Sequence, residues 1–242
     1  MIYSGKSDVG KKRPNNQDSF HTAALPDGSC FFTVCDGMGG ANGGSVASSL
    51  ACSVYTEQVL LGYTPDASCR VLMTEAAAAA NAAVYEAAQK DEALRGMGTT
   101  LVSAIVRPDG ETTVVNVGDS RLYVTQNGNL RQITHDHSYV QYLVDKGQMT
   151  LRQARESSAR NIITRSIGNE PQVSPDVFEL ILTEGQYILL CSDGLTNNVE
   201  PELLSQTVLG AGEDPDAVVG SLIALANEGG GTDNITVILG RF

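Results

Sequence analysis

Cys30-Phe31-Phe32-Thr33-Val34-Cys35-Asp36-Gly37 is an apolar, strand-like run that stops on a carboxylate. A buried strand has no structural reason to end that way, because an unpaired charge at the edge of a core is costly. The same ending recurs in Thr113-Val114-Val115-Asn116-Val117-Gly118-Asp119-Ser120 and in Ile188-Leu189-Leu190-Cys191-Ser192-Asp193-Gly194. It recurs in reverse order in Gly231-Thr232-Asp233-Asn234-Ile235-Thr236-Val237-Ile238-Leu239. A single Asp-Gly is a turn. Four acids at the ends of four apolar runs call for a compensating cation. If those ends meet at one rim of a sheet, they form an all-oxygen cage for a hard divalent metal, since Mg2+ and Mn2+ favour carboxylate, carbonyl and water ligands.

Around these runs the pattern alternates between strand blocks and helix blocks. Residues 2–7 form a first strand, and 19–25 with the run ending at Asp36 form a hairpin about the turn Pro26-Asp27-Gly28. A glycine-rich stretch occupies 37–44. Helical spacing follows over 45–61, and an alanine-rich helix over 66–94. Residues 98–133 read as a meander of about four antiparallel strands, with Gly118-Asp119-Ser120 among its turns, because connections this short cannot make parallel crossovers. A helix over 138–146, a polar stretch of weak helical character over 149–167, strands over 176–182 and 186–191, helices over 201–208 and 215–227 and a strand over 234–239 complete the chain. Strands segregated from helices and joined by hairpins point to antiparallel sheets covered by helices, in one α+β domain spanning 1–242.

The 242 residues can bury enough apolar surface to need no disulfide or structural zinc. Cys30, Cys35, Cys52, Cys69 and Cys191 are odd in number and lack a C-x-x-C pair, so they read as reduced core thiols of a cytoplasmic protein. Neither a signal peptide nor a membrane span is expected. With 16 Lys+Arg against 28 Asp+Glu, the formal charge is −12, which disfavours nucleic acid and anionic lipid as partners. A phosphate group would then need metal or a local arginine to reverse the field.

Asp36, Asp193 and Asp233 are the strongest ligand candidates. Carboxylates bridging two ions about 3.5 to 4 Å apart acidify a shared water into a nucleophile for in-line attack on a phosphoester. Arg13 stands five positions before Asp18, and its guanidinium fork suits a substrate phosphate; a solvated basic patch with Lys11 and Lys12 is the alternative. His21 reads as structural, and His137 as a helix cap or a hydrogen-bonding partner near the site. With no nucleophile elbow, phosphate loop or catalytic-cysteine context, a covalent intermediate is disfavoured.

Arg13-x-x-Asn16-Gln17-Asp18, Asp36-Gly37-Met38-Gly39-Gly40, Gly96-Met97-Gly98-Thr99-Thr100, Asn116-Val117-Gly118-Asp119-Ser120-Arg121, Asp136-His137-Ser138, Ser192-Asp193-Gly194-Leu195-Thr196 and Gly231-Thr232-Asp233-Asn234 stand in this order along the chain. In that order the sequence resembles the metal-dependent protein phosphatases of type 2C, above all their short bacterial serine/threonine members. The resemblance implies a four-layer αββα sandwich, two antiparallel sheets flanked by pairs of helices, with Mn2+ or Mg2+ as cofactor. Two ions would occupy the core site and a third a weaker one. Asp36 would bridge the pair, Gly37 would give its carbonyl, and Asp193 and Asp233 would hold one ion with Asp18 assisting. Asp119 and Asp193 would form the third site, and Arg13 would bind phosphate. The catalytic set implied is Arg13, Asp36 and Asp193. Residues 146–167 would be a flap beside the cleft whose arginines contact substrate. Phosphoprotein substrates, an opposing serine/threonine kinase and a monomeric state are implied with it.

The sequence departs from the family where many bacterial members carry His after Met-Gly-Gly and Glu four residues on. Ala41 and Ser45 occupy those places. A side-chain acid for the leaving oxygen is therefore missing at Ala41, and a solvent molecule near Asp119 would supply the proton. The same departure admits a second reading, a catalytically silent sandwich used as a regulatory binding module. A third is a phosphatase dedicated to one phosphorylated switch protein.

Overall fold

A computed structural model describes every residue except Ala211 and Glu213, and every other side chain except those of Ala41 and Asn42. The elements run β1 (Ile2–Asp8), β2 (Asp18–Ala24), β3 (Cys30–Met38), α1 (Gly40–Gly62), α2 (Cys69–Lys90), β4 (Gly98–Thr99), β5 (Leu101–Val106), β6 (Glu111–Val117), β7 (Arg121–Gln126) and β8 (Asn129–Gln132). They continue with α3 (Tyr139–Asp145), α4 (Leu151–Glu156), β9 (Asp176–Ile181), β10 (Tyr187–Cys191), α5 (Asp193–Thr196), α6 (Pro201–Leu209), α7 (Pro215–Glu228) and β11 (Ile235–Arg241). One sheet has the order β1-β11-β10-β7-β8. The other has the order β2-β3-β5-β6-β9, with β4 paired to the end of β3. All described pairings are antiparallel.

The period of two along each strand builds the layers. On β3, Phe31 and Cys35 pack under α1 and α2 with Tyr55, Met73 and Ala77. Its alternate residues Cys30, Phe32 and Val34 face the opposite sheet and meet Leu122, Ile188, Leu190 and Ile238. On the far side Leu189, Cys191, Val237 and Leu239 pack beneath α6 and α7 against Leu204, Val208, Val219 and Leu222. Three apolar layers between four layers of structure make the αββα sandwich that the motif order implies.

Two expectations fail in an instructive way. Residues 98–133 are not one meander: β5 pairs with β6 and β7 with β8, but β6 and β7 belong to different sheets. Gly118-Asp119-Ser120 is thus a crossing between sheets and not a hairpin turn, and the link from β9 to β10 crosses likewise. Hairpin and crossing look alike in sequence because β6 is buried on both faces toward its end and lacks the alternation that names a partner. The first helix also starts earlier than the helical spacing from 45 indicates, since α1 already begins at Gly40, inside the glycine-rich stretch. Poor intrinsic helix propensity is overridden by packing: a Cβ on Gly44 would lie 2.7 Å from the Gly37 carbonyl oxygen, and one on Gly43 would lie 3.2 Å from Met97 Cβ. Within 149–167 only α4 is helical, opened by a Thr150–Gln153 capping box.

The turn after β10 must pass hard against the start of β11. A Cβ at Gly194 would stand 1.9 Å from the Asn234 carbonyl oxygen. Gly194→Ala is therefore expected to destabilise the fold by about 1–3 kcal/mol, the usual cost of forcing a methyl into a packed site, read as a lower midpoint in denaturant titration.

Candidate metal centre

The acids converge because of register and crossing. Asp18 and Asp36 are direct partners across the β2–β3 ladder, an arrangement that is unfavourable for like charges. Asp193 opens α5 at the end of β10, and Asp233 precedes β11, the strand hydrogen-bonded to β10. Asp119 arrives on the β6–β7 crossing. Asp36 lies at the centre, close enough to feel Asp18, Asp193, Asp119 and Asp233 together. Arg13, Asp36, Gly37, Asp119, Asp193 and Asp233 line one cleft of about 390 Å3, with Asn161 and Ile163 on its far wall. Asp18, the ladder partner of Asp36, does not line that cleft.

The electrostatics are those of crowded anions. Burial first, then the neighbouring acids, holds Asp36 well above the ordinary carboxylate range. Burial raises Asp18 to about 7, against hydrogen bonds from Thr236 and Ser192 that favour its ionised form. Burial and Asp233 raise Asp193 to about 6. Asp119 is raised well above its ordinary value by burial, Asp193 and Asp136, with Arg121 opposing.

The residues present fit a hard divalent cation. Asp18 Oδ1 and Asp193 Oδ1 are buried and have no hydrogen-bond partner, so two carboxyl oxygens among the crowded acids are left for a cation to satisfy. As the side chains stand, no group of three or more acidic, histidine or cysteine residues among the described residues is placed to hold a metal ion. The other oxygens are turned to donors of the protein: Asp18 Oδ2 accepts from Ser192 Oγ at 2.7 Å and Thr236 Oγ1 at 2.6 Å. Asp193 Oδ2 accepts from Asn197 at 2.9 Å, and Asp233 Oδ2 from Arg13 Nη2 at 2.8 Å. The crowding of these acids itself favours a cation among them.

Several positioning residues carry no charge and escape a search for chemistry in the sequence. Thr100 ties two acid-bearing ends together: its Oγ1 donates to no acid, but accepts from Asp36 N at 2.9 Å and lies 2.7 Å from Ser120 Oγ beside Asp119. Thr99 Oγ1 donates to the Asp36 carbonyl at 2.8 Å. Asn234 clamps the Arg13 loop, its Nδ2 donating to the Val9 and Asn15 carbonyls and its Oδ1 accepting from Gln17 N. Their only sequence signal is adjacency to the acids within the quoted motifs. His137 takes the hydrogen-bonding role: Nδ1 accepts from Gly118 N at 3.0 Å while its own N–H donates to the Gly118 carbonyl. Burial lowers its pKa, consistent with a neutral ring fixing the Asp119 crossing. The α3 cap is Ser138. Three of the four arginines of 146–167 are paired with acids of the protein, Arg152 with Glu156, Arg155 with Glu200 and Arg165 with Asp176, whereas Arg160 donates through Nη1 to the Arg155 carbonyl and its buried Nε has no partner among the described residues.

A sequence model of the family described as Protein phosphatase 2C matches residues 5–212. The chain belongs to this family. Among phosphatase 2C relatives, protein phosphatase PhpP of Streptococcus pneumoniae is 37% identical over 246 residues, covering 99% of this chain and 96% of that protein. The crystal structure of serine/threonine phosphatase Stp1 from Staphylococcus aureus superimposes with a TM-score of 0.92 at 32% identity, covering 99% of this chain and 94% of that one. The catalytic domain of serine/threonine protein phosphatase PstP, solved in complex with two manganese ions, gives a TM-score of 0.87 at 33% identity over 98% of this chain and 96% of its own.

The crowding predicts a pH dependence for this phosphatase 2C chain in chelator. The folded state holds protons on Asp18 and Asp193 up to about 7 and about 6, whereas the unfolded chain releases them near the ordinary value of 3.8. Between those limits the unfolded state binds fewer protons, so stability is full below about pH 4 for these groups and falls as pH rises toward 7. Melting temperature in chelator should therefore drop between about pH 4 and about pH 7, and excess Mn2+ should remove most of that drop.

Proposed function

We infer that this protein is a metal-dependent phosphatase that hydrolyses phosphoserine and phosphothreonine in proteins. The observation that carries the reading is the meeting of five carboxylates from separate strand ends around Asp36, with a guanidinium at their rim. Asp36, Asp193, Asp233 and the Gly37 carbonyl would hold two ions, Mn2+ or Mg2+, and Asp119 with Asp193 a third. Such ions supply Lewis-acid polarisation of a phosphoryl group and an acidified water for in-line attack. Asp18, fixed by Ser192 and Thr236, supports Asp36 across the β2–β3 ladder. Arg13 stands within reach of a phosphate in the cleft and orients it through its fork. Among the described residues no Ser, Cys or His lines that cleft, which supports direct attack by water over a side-chain thiol, hydroxyl or imidazole.

Residues 146–167 act as the flap of a single domain, offering Asn161 and Ile163 to the substrate side of the cleft. Ala41 lies outside the residues whose side chains are described, and the proton for the leaving oxygen is assigned to solvent near Asp119. We place the protein in the cytoplasm as a monomer opposing a serine/threonine kinase. Supporting this, the acids all come from one chain, the five cysteines are free thiols, and no described helix is long and apolar enough to cross a membrane.

Mn2+-dependent phosphate release from a phosphothreonine peptide tests the reading. Asp193→Ala should lower kcat by about a thousandfold, the kinetic equivalent of the several kcal/mol a metal ion contributes; unchanged turnover would reject the mechanism. Arg13→Ala should act mainly through KM, raising it by about tenfold. Asp119→Ala should slow turnover while calorimetry still counts two ions, and loss of all metal would contradict its assignment to a third site.

A further inference from the structure

We propose that Cys35 and Cys52 form a redox modification site, a thiol pair that a hydroperoxide converts to a disulfide joining α1 to the strand residue beside Asp36. All five cysteines are free thiols. Cys35 is fully buried near the end of β3, and Cys52 is 7% exposed on α1; both lie in the core between that helix and its sheet. Their side chains interact directly.

An independent contact fixes the helix over the strand at this point. Ser48, one turn before Cys52, lies 3.1 Å from Ser19 Oγ, and Ser19 is the ladder partner of Cys35. Ser48 and Cys52 on one face of α1 therefore sit over Ser19 and Cys35 on adjacent strands. Ala47 and Ala51 are buried in the same interface, and side chains this small bring the helix close. On its outer side Cys52 lines an open groove of about 830 Å3 with Ser49, Ser53, Thr56 and Glu57. A small oxidant reaches Cys52 from solvent, while Cys35 waits behind it as the resolving thiol.

The chemistry balances with hydrogen peroxide as oxidant. The Cys52 thiolate attacks one peroxide oxygen, the O–O bond breaks, and the departing hydroxide takes a proton to leave as water. The Cys35 thiol then displaces the hydroxyl of the resulting sulfenic acid as a second water, and the S–S bond forms. Two electrons pass from the thiol pair to the peroxide. Drawing the two sulfurs from contact to bonding distance pulls the residue before Asp36 toward α1. This consequence rests on the proposed metal role of Asp36; the disulfide itself does not.

The full-length protein treated with hydrogen peroxide, alkylated and mapped by mass spectrometry under non-reducing conditions is expected to yield a crosslinked peptide pair containing Cys35 and Cys52. Free thiols should fall from five to three, and dithiothreitol should restore them. Manganese calorimetry should show affinity weakened by about tenfold or more in the oxidised protein, the scale seen when groups behind a ligand are disturbed, and Cys52→Ser should keep its affinity through the same treatment. Absence of the Cys35–Cys52 crosslink in oxidised wild-type protein, or oxidation of Cys52 beyond the sulfenic stage with Cys35 still a thiol, would overturn the site. A crosslink without any change in manganese affinity would overturn its effect on Asp36. Failure of the reduced protein to bind manganese would instead count against the metal reading.

Discussion

Five carboxylates held at one rim of a sandwich repel one another, and the protein is built to hold them there. Asp18 faces Asp36 across a ladder, a placement that backbone pairing enforces and side-chain electrostatics oppose. The cost appears as raised proton affinity at Asp36, Asp18, Asp193 and Asp119. Single positive charges relieve it only in part: Arg13 pairs with Asp233, and Arg121 opposes the rise at Asp119 and Asp193 without cancelling it.

Rigidity around the cluster comes from neutral groups. Thr100 links the end of β3 to the crossing that carries Asp119, and His137 grips that crossing through Gly118. Asn234 ties the loop of Arg13 to the strand of Asp233. The backbone that carries the acids is thereby held by hydrogen bonds of neutral side chains. A site organised in this way is preorganised for charge it does not itself supply.

The strand runs, the two long helices, the covering helices near the C-terminus and the five acids were legible in the sequence, because apolar periodicity and a carboxylate at a strand end are local signals. The sheet that each strand joins was not. β6 and β7 are separated by three residues, as a hairpin would be, yet lie in different sheets; both are buried, so neither has a polar face to reveal its surroundings. The start of α1 in a glycine-rich stretch was hidden for a related reason, since the glycines serve contact with β3 and Met97 and carry little information about local conformation. Thr100, Ser192, Asn234 and Thr236 were present in or beside the motifs, but uncharged side chains declare a role only when their partners are known.

The sequence by itself determined the chemical inventory: oxygen ligands without a histidine cluster, an arginine near the first acid, apolar runs of strand length, and a motif order shared with the phosphatase 2C family. Tertiary structure decided which acids meet. Asp36 is 157 residues from Asp193 in the chain, and only antiparallel register, three crossings between sheets and glycine-permitted close approach place them around one point. Composition and periodicity act over a few residues, whereas a metal cage is a property of distance in space, which the chain fixes only after its layers have packed.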